Sequence, residues 1–384
     1  MNRYCPGLAI LALFALVWTT AGAGELAFVN VNVVTMTDDD VLPARTVIVR
    51  GDRIAAIGPV TETPVAVDAT IVDGTDRYLM PGLAEMHGHV PPADSDNLQR
   101  VLTLFAAMGV TRVRGMLGRP DHLALRAALA EGSAFGPRLV TSGPSFNGNS
   151  VNGARAAVSM VRAQRAAGYD FLKIHPGLTR AEFVAMAGEA SELGIRFAGH
   201  VPADVGVLLA LESGMSTIDH LDGYMQQLMP TSVDPSGGFG GFFGVRLAGV
   251  AEADRIAGIA ASTCAAGVGN VPTQTLFENV AGRASADEMA AWPEMHYMPA
   301  ATIEQWMAFK REAVSDEGFE RAVADRAIEL RRQLIRALHD CGGPLLLGSD
   351  APQIFNVPGF SLHRELSLLV ASGLTPSRHC GPVR

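Results

Sequence analysis

The stretch Leu79–Val90, LMPGLAEMHGHV, ends an apolar run with two histidines separated by one glycine. Because alternate side chains of a strand point to the same side, His87 and His89 can face one pocket. Two imidazoles that converge at the end of a buried strand suggest a metal site. A His-x-His pair also occurs on half-exposed strands, so the rest of the chain has to supply further ligands.

The composition is that of a globular protein. The chain has 384 residues, which is enough for a large barrel and a small second domain. Its residues are 48% hydrophobic and 18% charged, which argues against a disordered or fibrous chain. The formal net charge of −9 and the lack of any Lys/Arg cluster argue against a nucleic-acid partner.

The N-terminus has the layout of a secretory signal, which we assign to residues 1–23. An early arginine precedes the apolar run Leu8–Trp18, and Ala21 and Ala23 fit the A-x-A cleavage pattern. The apolar run is short for a membrane span. We expect an exported protein, periplasmic or secreted, with no stable membrane anchor after cleavage; an uncleaved anchor is the alternative.

Cysteine spacing gives no metal site, because no C-x-x-C motif is present. Cys5 would leave with the signal. The sequence does not decide whether Cys264 and Cys341 form a bridge.

Two rhythms divide the remaining chain. Residues 24–78 contain short β-branched runs broken by turn signals, which predicts a small β-domain. The family resemblance described below implies that this domain is sandwich-like and incomplete. From residue 79 to 376, eight apolar segments alternate with helical runs that end in glycine, which predicts an α/β fold with a TIM-type (β/α)8 barrel. The candidate strands are Gly82–His87, Thr111–Met116, Arg138–Ser142, Phe171–His175, Arg196–Val201, Thr217–Leu221, Val268–Thr273 and Leu345–Asp350. An open doubly wound sheet is the alternative, but no G-x-G-x-x-G follows the first strand.

Two stretches interrupt the alternation. Asp222–Gly267 is rich in glycine, and Leu276–Cys341 contains long helical patterns. We expect lids or extra helices there.

Candidate ligands fall at the ends of several predicted strands. They are His87, His89, Lys173, His175, His200, His220 and Asp350. Barrel active sites lie at the carboxyl ends of the strands, so these side chains should converge. Imidazoles and carboxylates suit a divalent metal such as Zn²⁺. Lys173 would bind a metal only as a carbamate; pairing with Asp170 is its alternative role.

The motifs HGH, FLKIH, AGH, IDH and LGSD resemble the amidohydrolase superfamily, and within it the imidazolonepropionase-like and prolidase-like branch with a carbamylated lysine. The resemblance covers roughly Glu25 to Pro376. It implies two divalent metal ions, with Zn²⁺ expected. One would be bound by His87, His89 and Asp350 and the other by His200 and His220, and Lys173, as a CO₂-derived carbamate, would bridge them.

The expected reaction is hydrolysis of an amide or other C–N bond through a hydroxide shared by two metals. Asp350 can accept the proton of that water and deliver it to the leaving amine. A dipeptide or an N-acyl amino acid is the expected small-molecule substrate. A mononuclear deaminase-like relative and an inactive metal-binding remnant are the alternatives. The oligomeric state stays open, and a homo-oligomer is compatible with the sequence.

Other residues are assigned on weaker patterns. His175 shares the strand parity of Lys173 and can line the substrate pocket or serve as a buried packing residue. Tyr224 can touch substrate or pack under a lid. Arg114 is expected to support the ligand residues without binding a metal itself. The remaining histidines are interpreted as surface or packing residues: His122, His296, His339 and His363.

The final residues, 377–384, do not continue the expected pattern. Relatives would add strands that complete the β-domain, whereas this chain ends in SRHCGPVR. A one-base frameshift and a naturally short member are both open. We expect an unpaired sheet edge in the β-domain that exposes Val31, Val33 and Val47.

Overall fold

A computed structural model describes residues 24–37, 40–233 and 240–375 of the chain. The predicted signal and the final tail lie outside these residues. The chain divides into two compact units, with the boundary between Pro81 and Gly82.

The first unit is a β-domain. Its strands are β1 (Leu26–Val34), β2 (Val41–Arg50), β3 (Arg53–Pro59), β4 (Thr70–Asp73) and β5 (Tyr78–Leu79). They form one sheet in the order β3-β2-β1-β4, and β5 also pairs with β1. The first three strands are antiparallel, whereas β4 and β5 run parallel to β1. The described residues of this unit thus form a single sheet rather than the two facing sheets of a sandwich.

The small core of this unit differs from the expectation. Val31, Val33 and Val47 were expected to be exposed, but they are buried and form an apolar cluster. Alternation along β1 and β2 brings these three side chains to the same face of the sheet. Exposed apolar side chains lie instead on β3, β4 and β5, with Ile54 63% and Ile71 62% exposed.

The second unit is an α/β structure with parallel strands, as predicted. Its strands are β6 (Leu83–Gly88), β7 (Val110–Gly115), β8 (Arg138–Thr141), β9 (Phe171–Ile174), β10 (Arg196–Gly199), β11 (Thr217–Asp219) and β12 (Gly269–Val271). They form one sheet in the order β6-β7-β8 and another in the order β9-β10-β11-β12. Single parallel bridges occur between Ser142 and Phe171 and between Asn270 and Leu345.

The eighth predicted strand, Leu345–Asp350, is not a regular strand. Leu346 N donates to Asn270 O and Leu347 O accepts from Met86 N, but Ser349 N has a side-chain partner in place of a backbone carbonyl. The Glu85 carboxylate accepts from Ser349 N at 2.9 Å and from the Ser349 hydroxyl at 2.5 Å. A side chain of β6 therefore replaces the ladder partner that a strand would provide.

Helices fill the connections. They are α1 (Leu98–Ala107), α2 (His122–Glu131), α3 (Ala154–Ala167), α4 (Arg180–Glu192), α5 (Gly206–Glu212), α6 (Tyr224–Gln227), α7 (Ile256–Ala266), α8 (Gln274–Ala281), α9 (Ala286–Ala290), α10 (Ala300–Ser315), α11 (Arg321–Asp340) and α12 (Phe360–Ala371). Gly132 and Gly168 end α2 and α3 in the left-handed conformation, which confirms the predicted glycine caps.

The two irregular stretches form extra helices, as one of their interpretations predicted. The first contains α6, α7 and the 3-10 helices Phe242–Gly249 and Ala253–Arg255, and the second contains α8 to α11. A disulfide joins Cys264 at the end of α7 to Cys341 after α11, which answers the question that the sequence left open. Within the described ranges, no helix has the length and apolarity that crossing a membrane requires.

Candidate metal centre

Three side chains from distant parts of the chain meet at the carboxyl ends of the strands. His87 lies on β6, His220 follows β11, and Asp350 ends the Leu345–Asp350 segment. Their ligand atoms lie within 4.8 Å of one another, and all three residues are buried. Asp350 Oδ1 is 3.7 Å from His87 Nε2, and the rings of His87 and His220 are 4.4 Å apart. We call these three residues the floor of the site.

Left-handed backbone conformations direct two of the three floor residues, His220 and Asp350, inward. His220 has φ +63° and Asp350 has φ +65°, values that non-glycine residues adopt rarely. The turn at His220 breaks the alternation of β11, so that the neighbouring Asp219 and His220 both contact His87. Backbone strain of this kind concentrates at functional sites.

Three imidazoles each have Nδ1 hydrogen-bonded to a nearby oxygen. The pairs are His87 with Asp219 Oδ2 at 2.7 Å, His200 with Asp222 Oδ2 at 2.6 Å and His220 with Thr273 Oγ1 at 2.8 Å. Such bonds fix the ring orientation and leave Nε2 available to a metal.

Arg114 supports the floor through Asp219, in agreement with its predicted role. Its Nη2 lies 3.2 Å from both carboxylate oxygens of Asp219, and its Nη1 donates to Thr217 Oγ1 at 3.0 Å. The guanidinium also donates to Met86 O, so it joins β7 to β6 and β11. Asp219 is buried and fully bonded, and its carboxylate keeps a fixed position against His87.

The other predicted histidines surround the floor, and we call His89, His175 and His200 the rim. The side chains of His89 and His200 are 22% and 14% exposed. The rings of His175 and His200 stack at 5.1 Å, and those of His200 and His220 lie 4.5 Å apart. His89 Nε2 is 2.8 Å from Asp350 Oδ1, although the two atoms are not aligned as a hydrogen bond.

Lys173 is fully buried on β9, and its Nζ has no hydrogen-bond partner. The alternative pairing with Asp170 is absent, because Asp170 binds Arg126 and Thr141 N instead. The absence of a side chain at Gly199 makes room for the amine, since a Cβ there would lie 2.9 Å from Nζ. Burial lowers the pKa of Lys173 to about 8, against the pull of nearby carboxylates. A larger neutral fraction of the amine follows, and the neutral amine is the form that reacts with CO₂.

Burial also holds the imidazoles neutral. It lowers the pKa of His87 and of His220 well below the usual value, and neighbouring cationic groups act in the same direction. Burial, and next the charge of Lys173, lower the pKa of His175 to about 2. Neutral imidazole is the form that binds metals.

These residues fit a divalent metal. Buried polar atoms almost always have partners, yet Lys173 Nζ, His175 Nδ1 and Asp350 Oδ1 have no hydrogen bond. A nitrogen and a carboxylate oxygen that face each other without alignment, as His89 Nε2 and Asp350 Oδ1 do, are arranged like ligands of a shared cation. Nitrogen and oxygen donors together suit zinc and similar ions.

Tyr224, predicted to bind substrate or to pack, is completely buried on α6. Its hydroxyl lies 3.0 Å from Thr263 Oγ1, which favours the packing role. His122 is buried and contacts Pro91 O, and His363 contacts Met108 O, both away from the site.

Several supporting residues were not predicted from the sequence. They are Asp219, Asp222, Thr273 and Glu85, whose Oε1 accepts from His87 N at 2.9 Å. The acidic residues around His220 in IDHLDG were a visible signal, because Asp219 shares the strand parity of Thr217. Thr273 gave no signal, because its contact depends on an unusual backbone conformation with φ +46°.

Comparison with known proteins identifies the fold. No family model matches the chain. A segment of 94 residues, 22% of this chain, is 35% identical to an adenine deaminase of Rubrobacter xylanophilus, and it spans only 16% of that protein.

Solved structures match over nearly the whole chain. Bottromycin amidohydrolase superposes with a TM-score of 0.67 at 24% identity, over 93% of this chain and 75% of that one. A prolidase-like protein from Bifidobacterium longum gives 0.61 at 20% identity, over 93% and 81%. These structural neighbours are members of the amidohydrolase superfamily. The resemblance predicted from the histidine motifs is thereby confirmed for the fold.

Proposed function

We propose that this chain, which shares its fold with amidohydrolase-superfamily proteins, is a metal-dependent hydrolase that cleaves an amide or other C–N bond. The observation that carries the proposal is the convergence of neutral, oriented imidazoles on one buried carboxylate, Asp350. An unpartnered buried amine, Lys173 Nζ, lies in the same pocket.

The eight parallel segments would form a closed (β/α)8 barrel. Three single bridges support this closure: Ser142 with Phe171, Asn270 with Leu345, and Gly88 with Ala351. Closure would bring the carboxyl ends of all eight segments to one face, where the active sites of such barrels lie.

Two divalent metals, with Zn²⁺ expected, would be held in this pocket. His87, His89 and Asp350 would hold one and His200 and His220 the other, with a carbamate on Lys173 between them. Bound metals would supply an activated water and polarise the scissile carbonyl.

Asp350 would move the proton. Its carboxylate can accept a proton from the attacking water and pass it to the leaving amine. Glu85 fixes the segment that carries Asp350 by accepting from Ser349 N, so the carboxylate keeps its place during the transfer.

The substrate would be a small molecule of the dipeptide or N-acyl amino acid class. His175 at the rim would contact it. The ring of Phe243 lies parallel to that of His220 at 4.6 Å and would offer apolar surface to a substrate side chain. The fold shared with a prolidase-like protein supports this class.

A mononuclear deaminase-like activity is the second candidate. It is favoured by the three-residue group His87, His220 and Asp350, which suits one metal, and by the segment similar to adenine deaminase. The buried Lys173 favours the binuclear site, because a carbamate there serves as a bridge.

Metal analysis and substrate screening test the proposal together. Protein prepared with Zn²⁺, Mn²⁺ or Co²⁺ and bicarbonate is analysed for bound metal and assayed with dipeptides, N-acyl amino acids and adenine. About two metals per chain and C–N hydrolysis are expected. One metal with adenine deamination would support the second candidate, and a chain that binds no metal would exclude both.

We also propose that the protein is exported. The bridge between Cys264 and Cys341 supports this location, because disulfides persist mainly in oxidising compartments. The expected result is an oxidised pair and a new N-terminus at Gly24 in protein recovered from the periplasm or the medium. Reduced cysteines and an intact N-terminus in the cytoplasmic fraction would contradict it.

A further inference from the structure

Helix α11 carries a buried arginine that contacts the residues following β11 and β12. Arg331 is 2% exposed. Its Nη1 donates to His220 O at 2.7 Å and its Nη2 to Pro272 O at 2.8 Å. Its Nε donates to Gln274 Oε1 at 2.9 Å, so all three kinds of guanidinium nitrogen are used.

Burying Arg331 in this way would be energetically unfavourable if the side chain only filled space in the core. Among the described residues, no carboxylate forms a direct ion pair with Arg331, and its hydrogen-bond acceptors are all neutral oxygens; Glu365, Asp222 and Glu278 attract it only over a longer distance. Burying a cation without a carboxylate in direct contact is unfavourable, and an apolar residue of similar size is often at least as stabilising. The ring of Phe277, 4.2 Å from the guanidinium carbon, offsets only part of this cost. A buried arginine at this position therefore calls for a role beyond filling the core.

The two carbonyls that Arg331 holds flank a strained contact. Thr273 has φ +46° and His220 has φ +63°, both unusual for residues with a side chain. Pro272 O belongs to the peptide that leads into Thr273, and His220 O belongs to the candidate ligand itself. Between them, Thr273 Oγ1 meets His220 Nδ1 at 2.8 Å. Because Arg331 binds both carbonyls, it holds the strained backbones of His220 and Thr273 close enough for the contact between Thr273 Oγ1 and His220 Nδ1.

The far side of the same segment is also held. The Glu365 carboxylate accepts from Gln274 N at 2.9 Å and from Thr275 N at 2.7 Å. The Arg331 cation therefore holds the carbonyl of Pro272, and the Glu365 carboxylate holds the amides of Gln274 and Thr275. Thr273 lies between these two contacts.

We propose that Arg331 is a positioning residue, which clamps the ends of β11 and β12 so that Thr273 orients the His220 ring and Nε2 points into the metal pocket. The metal-binding part of this inference rests on the proposed function, whereas the ring orientation can be measured without it. Arg331 touches neither substrate nor metal and acts only through His220 and Thr273.

The variants are Arg331→Lys, Arg331→Met and the control Arg332→Met. Arg332 is the next residue of the same helix and binds Glu278 through three hydrogen bonds, whereas the carbonyls of His220 and Pro272 are bound by Arg331. Losing its guanidinium therefore reports the general cost of removing an arginine from α11. Thermal melts identify the variants that fold.

The first measurement uses metal-free protein with ¹⁵N-labelled histidine. Ring nitrogen shifts of His220, assigned with His220→Gln, report its tautomer and hydrogen bond. Arg331→Met should change the Nδ1 signal towards the exchange-averaged value of a free ring, and Arg332→Met should not. An unchanged His220 signal in folded Arg331→Met would overturn the proposal.

The second measurement is Co²⁺ binding followed by its visible absorption. In Arg331→Met, the more weakly bound of the two Co²⁺ ions should lose affinity by about 10-fold or more. Losses of this size are usual when a residue that supports metal ligands is removed. An equal loss in Arg332→Met would overturn the proposal by assigning the effect to the helix. If wild-type protein binds no Co²⁺, the proposed function fails, and the His220 signal alone decides the positioning role.

A double-mutant cycle covers the case in which Arg331→Met does not fold. Arg331→Lys keeps the charge but loses the forked geometry, and Thr273→Val removes the hydroxyl that contacts His220. If Arg331 acts through Thr273, the double variant should bind Co²⁺ no more weakly than Thr273→Val alone. Additive losses would show independent effects and overturn the proposal.

Discussion

At the floor of the site, the side chains of His87, His220 and Asp350 are at most 3% exposed, whereas those of His89 and His200 at the rim are 22% and 14% exposed. Buried polar groups form hydrogen bonds to the floor histidines, namely Asp219, Thr273, Glu85 and Arg331. The rim has fewer bonds, and one of its rings, His175, has an unpartnered Nδ1. The floor residues are thus held rigidly, as a metal site requires, whereas the rim, which includes the proposed ligands His89 and His200, is also accessible to a substrate.

The largest effect is expected from Lys173, and it tests whether this residue takes part in metal binding together with the floor residues. Lys173→Ala should lower kcat/KM by about 10³-fold or more and reduce the metal content, because it removes the proposed bridge. Lys173→Glu should retain part of both, since a carboxylate replaces the carbamate. Rates and elemental analysis measure these outcomes.

The matched control is a second buried lysine. Lys310 is 2% exposed and donates to Val280 O and Gly282 O, far along the chain from any predicted ligand. Lys310→Ala should lower the melting temperature but leave the metal content of the folded protein unchanged. Full turnover in Lys173→Ala would refute the carbamate.

Asp219→Asn tests the backing of the floor. The change weakens the hydrogen bond to His87 Nδ1 and removes the charge that Arg114 binds. Metal affinity should fall about 10- to 100-fold, as is usual for such outer partners. Competition with a metal chelator measures it, with the surface variant Asp340→Asn as the control. Equal affinities of the two variants would remove Asp219 from the site.

Glu365 makes the support of the floor sensitive to pH. Burial raises its pKa from 4.5 to about 7, so the folded protein binds a proton there more tightly than the unfolded chain does. Its stabilising contribution is complete below pH 4.5 and is lost as the pH rises through about 7. Glu365→Gln should therefore flatten the dependence of unfolding free energy on pH in this range, by about 1–3 kcal/mol.

A carboxylate of opposite behaviour provides the comparison for Glu365. The hydrogen bond from Arg162 lowers the pKa of Glu189, so stability from Glu189 is lost as the pH falls. Urea unfolding between pH 4 and pH 8 distinguishes the two variants, Glu365→Gln and Glu189→Gln. Parallel pH profiles for wild type and Glu365→Gln would contradict the role assigned to Glu365.

The smallest effects are expected at the rim and beyond it. His175→Ala should raise KM by about 10-fold or less and leave the metal content nearly unchanged, because its ring stacks on His200 but is not itself a proposed ligand. Tyr224→Phe should cost about 1 kcal/mol of stability and leave KM unchanged, because it loses the buried interactions of the hydroxyl with Thr263 and Asn270 and no substrate contact. A raised KM in Tyr224→Phe with unchanged stability would restore the substrate role of that tyrosine.

The sequence predicted the strands and the convergence of ligands well, because both follow from local periodicity. Apolar segments before His87, His175 and His200 form strands at the expected places, and parallel strands bring their ends to one face. The eighth segment failed as a strand because Glu85 replaces its ladder partner. A pattern of apolar residues cannot reveal that a side chain, rather than the backbone of a neighbouring strand, will accept a hydrogen bond.

The supporting shell could not be predicted, because it depends on long-range contacts and rare backbone angles. Arg331 meets His220 across 111 residues of chain, and no motif marks that pairing. His220 and Thr273 adopt left-handed conformations that no propensity rule assigns to them. In the β-domain, the alternation of Val31 and Val33 was visible, but which face would be covered was not.

The bridge joins Cys264 and Cys341 across a sequence separation of 77, and the loop that it closes includes β12, Thr273 and Arg331. Without the cross-link, the unfolded chain regains loop entropy worth about 4 kcal/mol. With the cross-link, the amides of α8 and α11 should exchange hydrogen only when the whole unit opens. After reduction they should exchange ahead of those of β9 and β10. A thiol would then shorten the lifetime of the metal-bound state without changing any ligand.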